Sequence, residues 1–305
     1  MDATMTSWRE DIVAGFRQLQ DTLCEGLVRL EQSCNGSGFV EDAWERPGGG
    51  GGRTRVLSEG AVWERGGVNF SDVHGEVSRG LAEQLGTTAS SFMASGVSLV
   101  LHPQNPWVPI VHMNVRHFAL SDGTQWFGGG IDLTPHYVVP TQAGAFHRVL
   151  REVCDAHVVA DYNRFKREAD DYFFLPHRDE TRGVGGVFFD HLGREGHGDW
   201  DACWAFVLAL GNSFLPAYVP LVEAAKDQPF TNEQRDWQLH RRGRYAEFNL
   251  VWDRGTRFGL VSQGRTESIL MSLPPEVRWT YDHQPGPLER DTLSWLRKDV
   301  DWVNH

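Results

Sequence analysis

Long apolar runs, paired cysteines and excess positive charge are all scarce in this chain of 305 residues, and each scarcity excludes something. No apolar run approaches the roughly 20 residues needed to cross a bilayer, so no integral membrane segment is expected. Cys24, Cys34, Cys154 and Cys203 form no Cys-x-x-Cys pair and no zinc-type spacing. The N-terminus also lacks a basic stretch leading into an apolar one, and together these point to reduced thiols in the cytoplasm. Only 29 lysines and arginines stand against 41 aspartates and glutamates, giving a formal charge of -12. That balance argues against a nucleic-acid partner, because phosphate binding needs a basic face. An anionic ligand would have to be met by local arginines.

Nucleotide and iron signatures are missing as well. No Gly-x-Gly-x-x-Gly follows a strand and opens a helix, so a flavin or nicotinamide site of Rossmann type is not indicated. The glycine run Gly48 to Gly52 is followed by Arg53-Thr54 rather than Lys-Ser/Thr, so it is no phosphate loop and reads as a flexible connection. His74-Gly-Glu76 and His197-Gly-Asp199 have the His-x-acid spacing of a non-haem iron site, but about two such matches are expected by chance at this composition.

What the chain does have is core material. Hydrophobic residues make up 40% of it, and 12 Trp with 17 Phe supply large rigid surfaces, so it folds into a globular body. Trp8, Ile12, Phe16, Leu19, Leu23, Leu27 and Leu30 recur at helical spacing, which predicts that residues 1–38 form a helical segment. Short β-prone segments follow at Val97 to Leu101, Pro109 to Leu120, Trp126 to Leu133 and Gly186 to Asp190. Helical patterns cover 142–167, 201–224 and 288–303, and further strands are predicted at Tyr245 to Asp253, Phe258 to Val261, Ser268 to Leu273 and Val277 to Tyr281. Connections too short for helical crossovers favour an antiparallel sheet. The expected fold is α+β, with residues 1–305 forming a single domain built on a large antiparallel β-sheet.

Three constellations could carry chemistry. A strand over Pro109 to Leu120 would put His112, Asn114 and Arg116 on one face: a proton donor, an amide and a fixed charge. A solvated strand edge is the alternative, although His, Asn and Arg are poor choices for mere solubility. The alternation from Tyr245 to Asp253 would put Tyr245, Glu247, Asn249 and Asp253 on another face, with Asp253-Arg254 presented at a strand end. Gln263-Gly264-Arg265 could hold a carboxylate through backbone N–H groups and the guanidinium. His147 reads as a hydrogen-bonded core residue, and His102, His112, His147 and His177 follow no metal-ligand spacing of their own.

These segments resemble a known family. Trp44 to Arg55, Gly67 to Ser71, His102 to His117, Trp126 to Pro135, Gly183 to Asp190 and Tyr245 to Pro274 are similar, in order, to the oxygen-dependent coproporphyrinogen III oxidases. The resemblance runs from about residue 39 to the C-terminus; residues 1–38 add nothing diagnostic. It implies α-helices on both faces of the sheet and a homodimer with contacts at about 245–280. It also implies oxidative decarboxylation of two propionates of a tetrapyrrole substrate, with dioxygen as co-substrate and no flavin, haem or NAD. By the same resemblance His112 is a proton donor, Asp253 a base, and Arg254 a partner with Arg116 for propionates. Ser98, Asn114, Val115, Arg116, Gln263, Gly264 and Arg265 correspond to substrate contacts, and His102, His112, His147 and His177 to ligands of a divalent metal such as manganese. Phe146-His147 departs from a His-x-His arrangement that would suit a metal better. Two other readings stay open at this point: a metal-dependent oxygenase or hydrolase, separable by chelation, and a non-catalytic tetrapyrrole carrier, separable with an oxygen electrode.

Overall fold

The apolar stripe near the N-terminus forms one long helix, α1 (Ala3–Ser33), in the computed structural model of the chain, which describes residues 3–194, 199–261 and 264–305. Three strands follow, β1 (Val40–Glu45), β2 (Gly50–Ser58) and β3 (Trp63–Glu76), then a short helix α2 (Arg79–Leu85). Strands β4 (Ser91–Pro103), β5 (Ile110–Leu120) and β6 (Gln125–Thr134) complete a meander, and helices α3 (Pro140–Asp155) and α4 (Tyr162–Tyr172) come next. A small hairpin, β7 (Phe174–Leu175) with β8 (Glu180–Thr181), leads into β9 (Gly185–Leu192). The rest is helical: α5 (Trp200–Asn212), α6 (Phe214–Ala225), α7 (Asn232–Val251), α8 (Arg254–Val261), α9 (Thr266–Leu270) and α10 (Pro287–Trp295).

Seven strands pair antiparallel in the order β1-β2-β3-β4-β5-β6-β9, as the short connections predict. Strict alternation gives the sheet two unlike faces. One face carries Val68, Val97, Leu99, Val111, Met113, Val115, Ile131 and Val187, all buried against Phe16, Leu19 and Leu23 of α1 and against α3, α5 and α6. Burying a side chain of that size contributes about 1.5–3 kcal/mol, so this layer supplies most of the stabilisation. The other face is polar and is covered by α7, α8 and α9. Helices therefore lie on both faces, as expected.

Several expectations need correction. Tyr245 to Asp253 is not a strand but the end of α7; Phe258 to Val261 lies in α8, Ser268 to Leu273 in and after α9, and Val277 to Tyr281 is irregular. The deciding signal lies upstream: Thr231 accepts from the Gln234 amide while the Gln234 side chain accepts from the Thr231 amide, a capping box that starts a 20-residue helix. The glycine run is only partly a connection. Gly50 to Gly52 pair within β2, and a Cβ on Gly52 would lie 2.5 Å from the Phe70 carbonyl and 2.4 Å from the Trp44 ring. The 142–167 pattern is two helices, parted before Asp161, whose carboxylate caps α4 at the Arg164 amide.

The helical stretch Trp200–Ala225 has a mean hydropathy of 1.6 and is long and apolar enough to cross a membrane. It is α5 and α6 in succession, and Phe206, Leu210, Phe214, Tyr218 and Leu221 of these helices belong to the main core. Core packing accounts for its apolar character.

Candidate active site on the polar face of the sheet

The polar face is organised by register. Asp42, Thr54, Asn69, Ser98, Asn114, Gly130 and Phe188 stand directly opposite one another across all the strands. One step along β5 on either side lie His112, paired with Asp132 of β6, and Arg116, paired with Gly128. His112, Asn114 and Arg116 thus share one half-exposed face, as the period of two predicts. Ser98 joins them from β4. Val115 does not: its side chain is fully buried on the opposite face, so only its backbone belongs to this surface.

Each polar group is held by named partners. Arg116 donates to Asn114 Oδ1 at 2.8 Å and lies 3.1 Å from Asp190. Gly128 makes room for this, since a Cβ there would sit 2.6 Å from the guanidinium and 2.7 Å from the Asp190 carboxylate. His112 Nδ1 lies 2.7 Å from Asp132 Oδ1; a carboxylate only accepts, so Nδ1 carries the hydrogen and Nε2 is left for exchange. Asp132 receives Arg182 Nη2 on its other oxygen at 2.6 Å, and Arg182 Nη1 reaches Asn249 at 2.8 Å. Burial alone would raise the Asp132 pKa, but Arg182 and His112 outweigh it and hold the carboxyl below its ordinary range. The rings of Phe173, Tyr245 and Phe248 surround the Arg182 guanidinium at 4.2, 4.6 and 4.8 Å.

Apolar walls frame the patch. Phe92, Phe118 and Trp126 close one end, with the Phe258 ring of α8 packed on Phe118. Val100, Ile110 and Tyr245 close the other, and Tyr172 stacks on Phe188 at the side with ring centroids 4.3 Å apart. On the β1–β3 side, Ser268 of α9 bonds Thr54 and Asn69, and Met271 lies against Gly67. A flat polar floor between aromatic walls suits a flat ligand that carries carboxylates. Asp132 and Arg182 are not among the residues that the sequence pattern points to, and Asn249 is, though on a strand face rather than on a helix. Asp132 follows a glycine run within β6, and its cross-strand position opposite His112 was the signal available.

The remaining expected site residues have protein partners of their own. Arg265 forms an ion pair with Asp42 on β1, and the Gly264 amide donates to the Gly259 carbonyl at 2.8 Å. Gln263 lies outside the described residues. Asp253 is not at a strand end; it precedes α8 and accepts the Thr256 amide and hydroxyl, each at 2.7 Å, as a helix cap. Its other oxygen accepts the Tyr172 hydroxyl at 2.6 Å. Burial opposes ionisation of Asp253, but these hydrogen bonds prevail and lower its pKa, and both carboxylate oxygens are committed to Tyr172 and Thr256. Arg254 rests over the Tyr172 ring at 4.8 Å.

The four histidines do not come together. His102 Nε2 bonds the Ser272 carbonyl, and burial lowers its pKa to about 3. His147 spends both nitrogens, on the Tyr162 hydroxyl and the Val184 carbonyl. His177 lies between Glu247 and the Trp252 indole N–H. Among the described residues no group of three or more His, Cys, Asp or Glu could hold a metal ion. These histidines do not fit a shared metal centre, because each commits at least one ring nitrogen to a different local partner and no metal-capable group forms around them among the described residues.

A seven-stranded antiparallel sheet with helices on both faces and a polar cluster around His112, Asn114, Arg116 and Asp132 on one of them defines the class, an α+β protein. The family model of the coproporphyrinogen III oxidases matches residues 11–302. The chain belongs to that family, oxidoreductases of porphyrin biosynthesis that act on coproporphyrinogen.

Two predictions follow the site's electrostatics. Because the Asp132 pKa is lower folded than unfolded, its stabilising contribution is present near neutral pH and is lost as pH falls through and below its ordinary value of 3.8. Asp132→Asn should cost about 3 kcal/mol at pH 7 by leaving Arg182 unpaired, and should flatten the acid limb of stability against pH. Urea melts from pH 7 to pH 3 measure both. Asp253→Asn should lower the melting temperature by weakening the α8 cap, with turnover per folded molecule retained; a hundredfold loss of kcat at unchanged stability would restore it as the base.

Proposed function

We propose that the chain is an oxygen-dependent enzyme that converts two propionates of coproporphyrinogen III to vinyl groups, giving protoporphyrinogen IX. The observation that carries this reading is the patch of His112, Asn114 and Arg116 backed by the buried Asp132–Arg182 pair. For each propionate the balance is R–CH2–CH2–COO⁻ + O2 + H⁺ → R–CH=CH2 + CO2 + H2O2. A C–H bond and the bond to the carboxylate break, two electrons pass to dioxygen, and one proton must be supplied.

The residues divide that work. Arg116, held by Asn114 and Asp190, is set to pair with a substrate carboxylate through charge-assisted hydrogen bonds. His112, oriented through Nδ1 by Asp132, takes up a proton at Nε2 and from there delivers it to the reduced oxygen species. The electron-rich substrate supplies the electrons, so the reading needs no flavin, haem or nicotinamide. The aromatic walls limit water around the reacting carbon.

A homodimer is part of this proposal. Leu250, Val251, Trp252, Leu260 and Val261 are exposed around the α7–α8 junction, a concentration of apolar surface that a second copy would cover. All four cysteines are free thiols, which supports a reducing, cytoplasmic setting.

Chromatography of products after incubation with coproporphyrinogen III, in air and under argon, tests the reaction. Vinyl products with matching oxygen uptake are expected in air only; bound but unchanged substrate would return the chain to a carrier role. Arg116→Ala should weaken the specificity constant by about 2 kcal/mol or more, read as a fall in kcat/KM with folding intact. Sedimentation at micromolar concentration should show a dimer, and a 34.4 kDa species alone would remove the dimer from the proposal.

A further inference from the structure

On the side of α7 away from the sheet lies a cavity of about 690 Å³ that the reaction above does not use. Its wall is one helical stripe, Trp237, His240, Arg241 and Arg244, at spacings of three, one and three. Arg178 of the β7–β8 hairpin and Tyr281 of the following chain face the same space. A helix stripe turned inward is ordinarily apolar; this one carries two guanidiniums and an imidazole.

The cationic groups are incompletely satisfied. Arg241 is 2% exposed and donates from Nη1 to Glu180 at 3.0 Å, but its Nε and Nη2 have no hydrogen-bond partner among the described residues. His240 Nδ1, also buried, has none either. Arg178 and Arg244 share Glu247, and Arg244 also contacts His240 Nε2 at 3.1 Å. Asp282 stands at the exposed mouth, and Glu289 is taken by His283. Burial above all, and then the charges of Arg244, His283, Arg241 and Arg178, lower the His240 pKa to about 3, so its imidazole is neutral. Leaving a buried guanidinium with two idle donors is costly, and a planar carboxylate is the partner whose geometry matches them. Flat rings line the rest: Trp237 is buried and already stacks on His240 and His283, while Trp279 and Tyr281 stand open, Tyr281 at 98% exposure.

We propose that this cavity is a second ligand site, separate from the polar sheet face, that takes a carboxylate carried on a flat unsaturated ring. The guanidinium of Arg241 and the imidazole of His240 receive the carboxylate, and Trp279 and Tyr281 receive the ring. The assignment stands on these side chains alone and does not depend on the oxidase chemistry.

The test is titration of the full chain with naphthalene-2-carboxylate, read by tryptophan fluorescence and calorimetry, beside naphthalene-2-methanol and inorganic phosphate as ring without charge and charge without ring. Saturable binding of the carboxylate, at least tenfold tighter than either control, is expected. Arg241→Gln should weaken it tenfold or more, and so should Tyr281→Ala, whose exposure keeps the fold out of the comparison. Arg116→Gln should leave it unchanged. Equal binding of phosphate, unchanged affinity in both cavity variants, or loss of binding in Arg116→Gln would overturn the assignment.

Discussion

The carboxylate of Asp132 is the joint on which the site hangs. It is 2% exposed, and each oxygen has one committed partner, His112 from β5 and Arg182 from the turn before β9. Through Arg182 and Asn249 the same charge reaches α7, so one buried ion ties a central strand, a connecting segment and a covering helix. Such a pair is costly to desolvate and is weak evidence for stability in itself. Its value is geometric: a carboxylate fixed on both sides holds the His112 ring in one orientation, and the aromatic box around Arg182 removes the alternative of a solvated guanidinium.

This joint is possible because the sheet separates its tasks by face. The row from Asp42 to Phe188 is continuous across all the strands, and a slip of one residue in any pairing would exchange polar and apolar sets on that strand. Register is therefore held by the apolar layer under α1, α3, α5 and α6, where a slip would bury Asn114 and Arg116 and expose Met113 and Val115. Core energy on one side fixes atomic positions on the other. That division leaves the polar face free to be rich in glycine and poor in contacts without loss of order.

The same separation explains what was legible beforehand. Alternation in β5 is a local property, written in consecutive residues, so His112, Asn114 and Arg116 could be placed together without a structure. Asp132 and Arg182 meet only through pairing between segments some fifty residues apart, which periodicity does not encode. Tyr245 to Asp253 misled because nine residues fit two periods at once. Gln238, Arg242, Tyr245 and Asn249, spaced four, three and four, mark the helical face, and a longer window would have weighed them against strand alternation. The four histidines differ again: each has a local partner of its own, Ser272 for His102, Asp132 for His112, Tyr162 and Val184 for His147 and Glu247 for His177, and position in the sequence does not show such partners.

Helix α7 carries the argument one step further. Its sheet side offers Gln238 and Arg242 to the Pro103 carbonyl, Tyr245 to the His102 ring and Asn249 to Arg182. Its opposite side offers Trp237, His240, Arg241 and Arg244 to the cavity. A buried helix that is polar on both sides gains little from the hydrophobic effect and must be held by specific partners. On the sheet side part of that network is in place, although Arg242 Nε and Nη1 have no hydrogen-bond partner among the described residues. On the cavity side Arg241 keeps two donors and His240 one without any. Unpaired donors thus occur on both sides of α7, and what sets the second side apart is the cavity beside it, lined by Arg241 and His240. The Arg241–Glu180 contact would carry the effect of a ligand there to the hairpin two residues before Arg182.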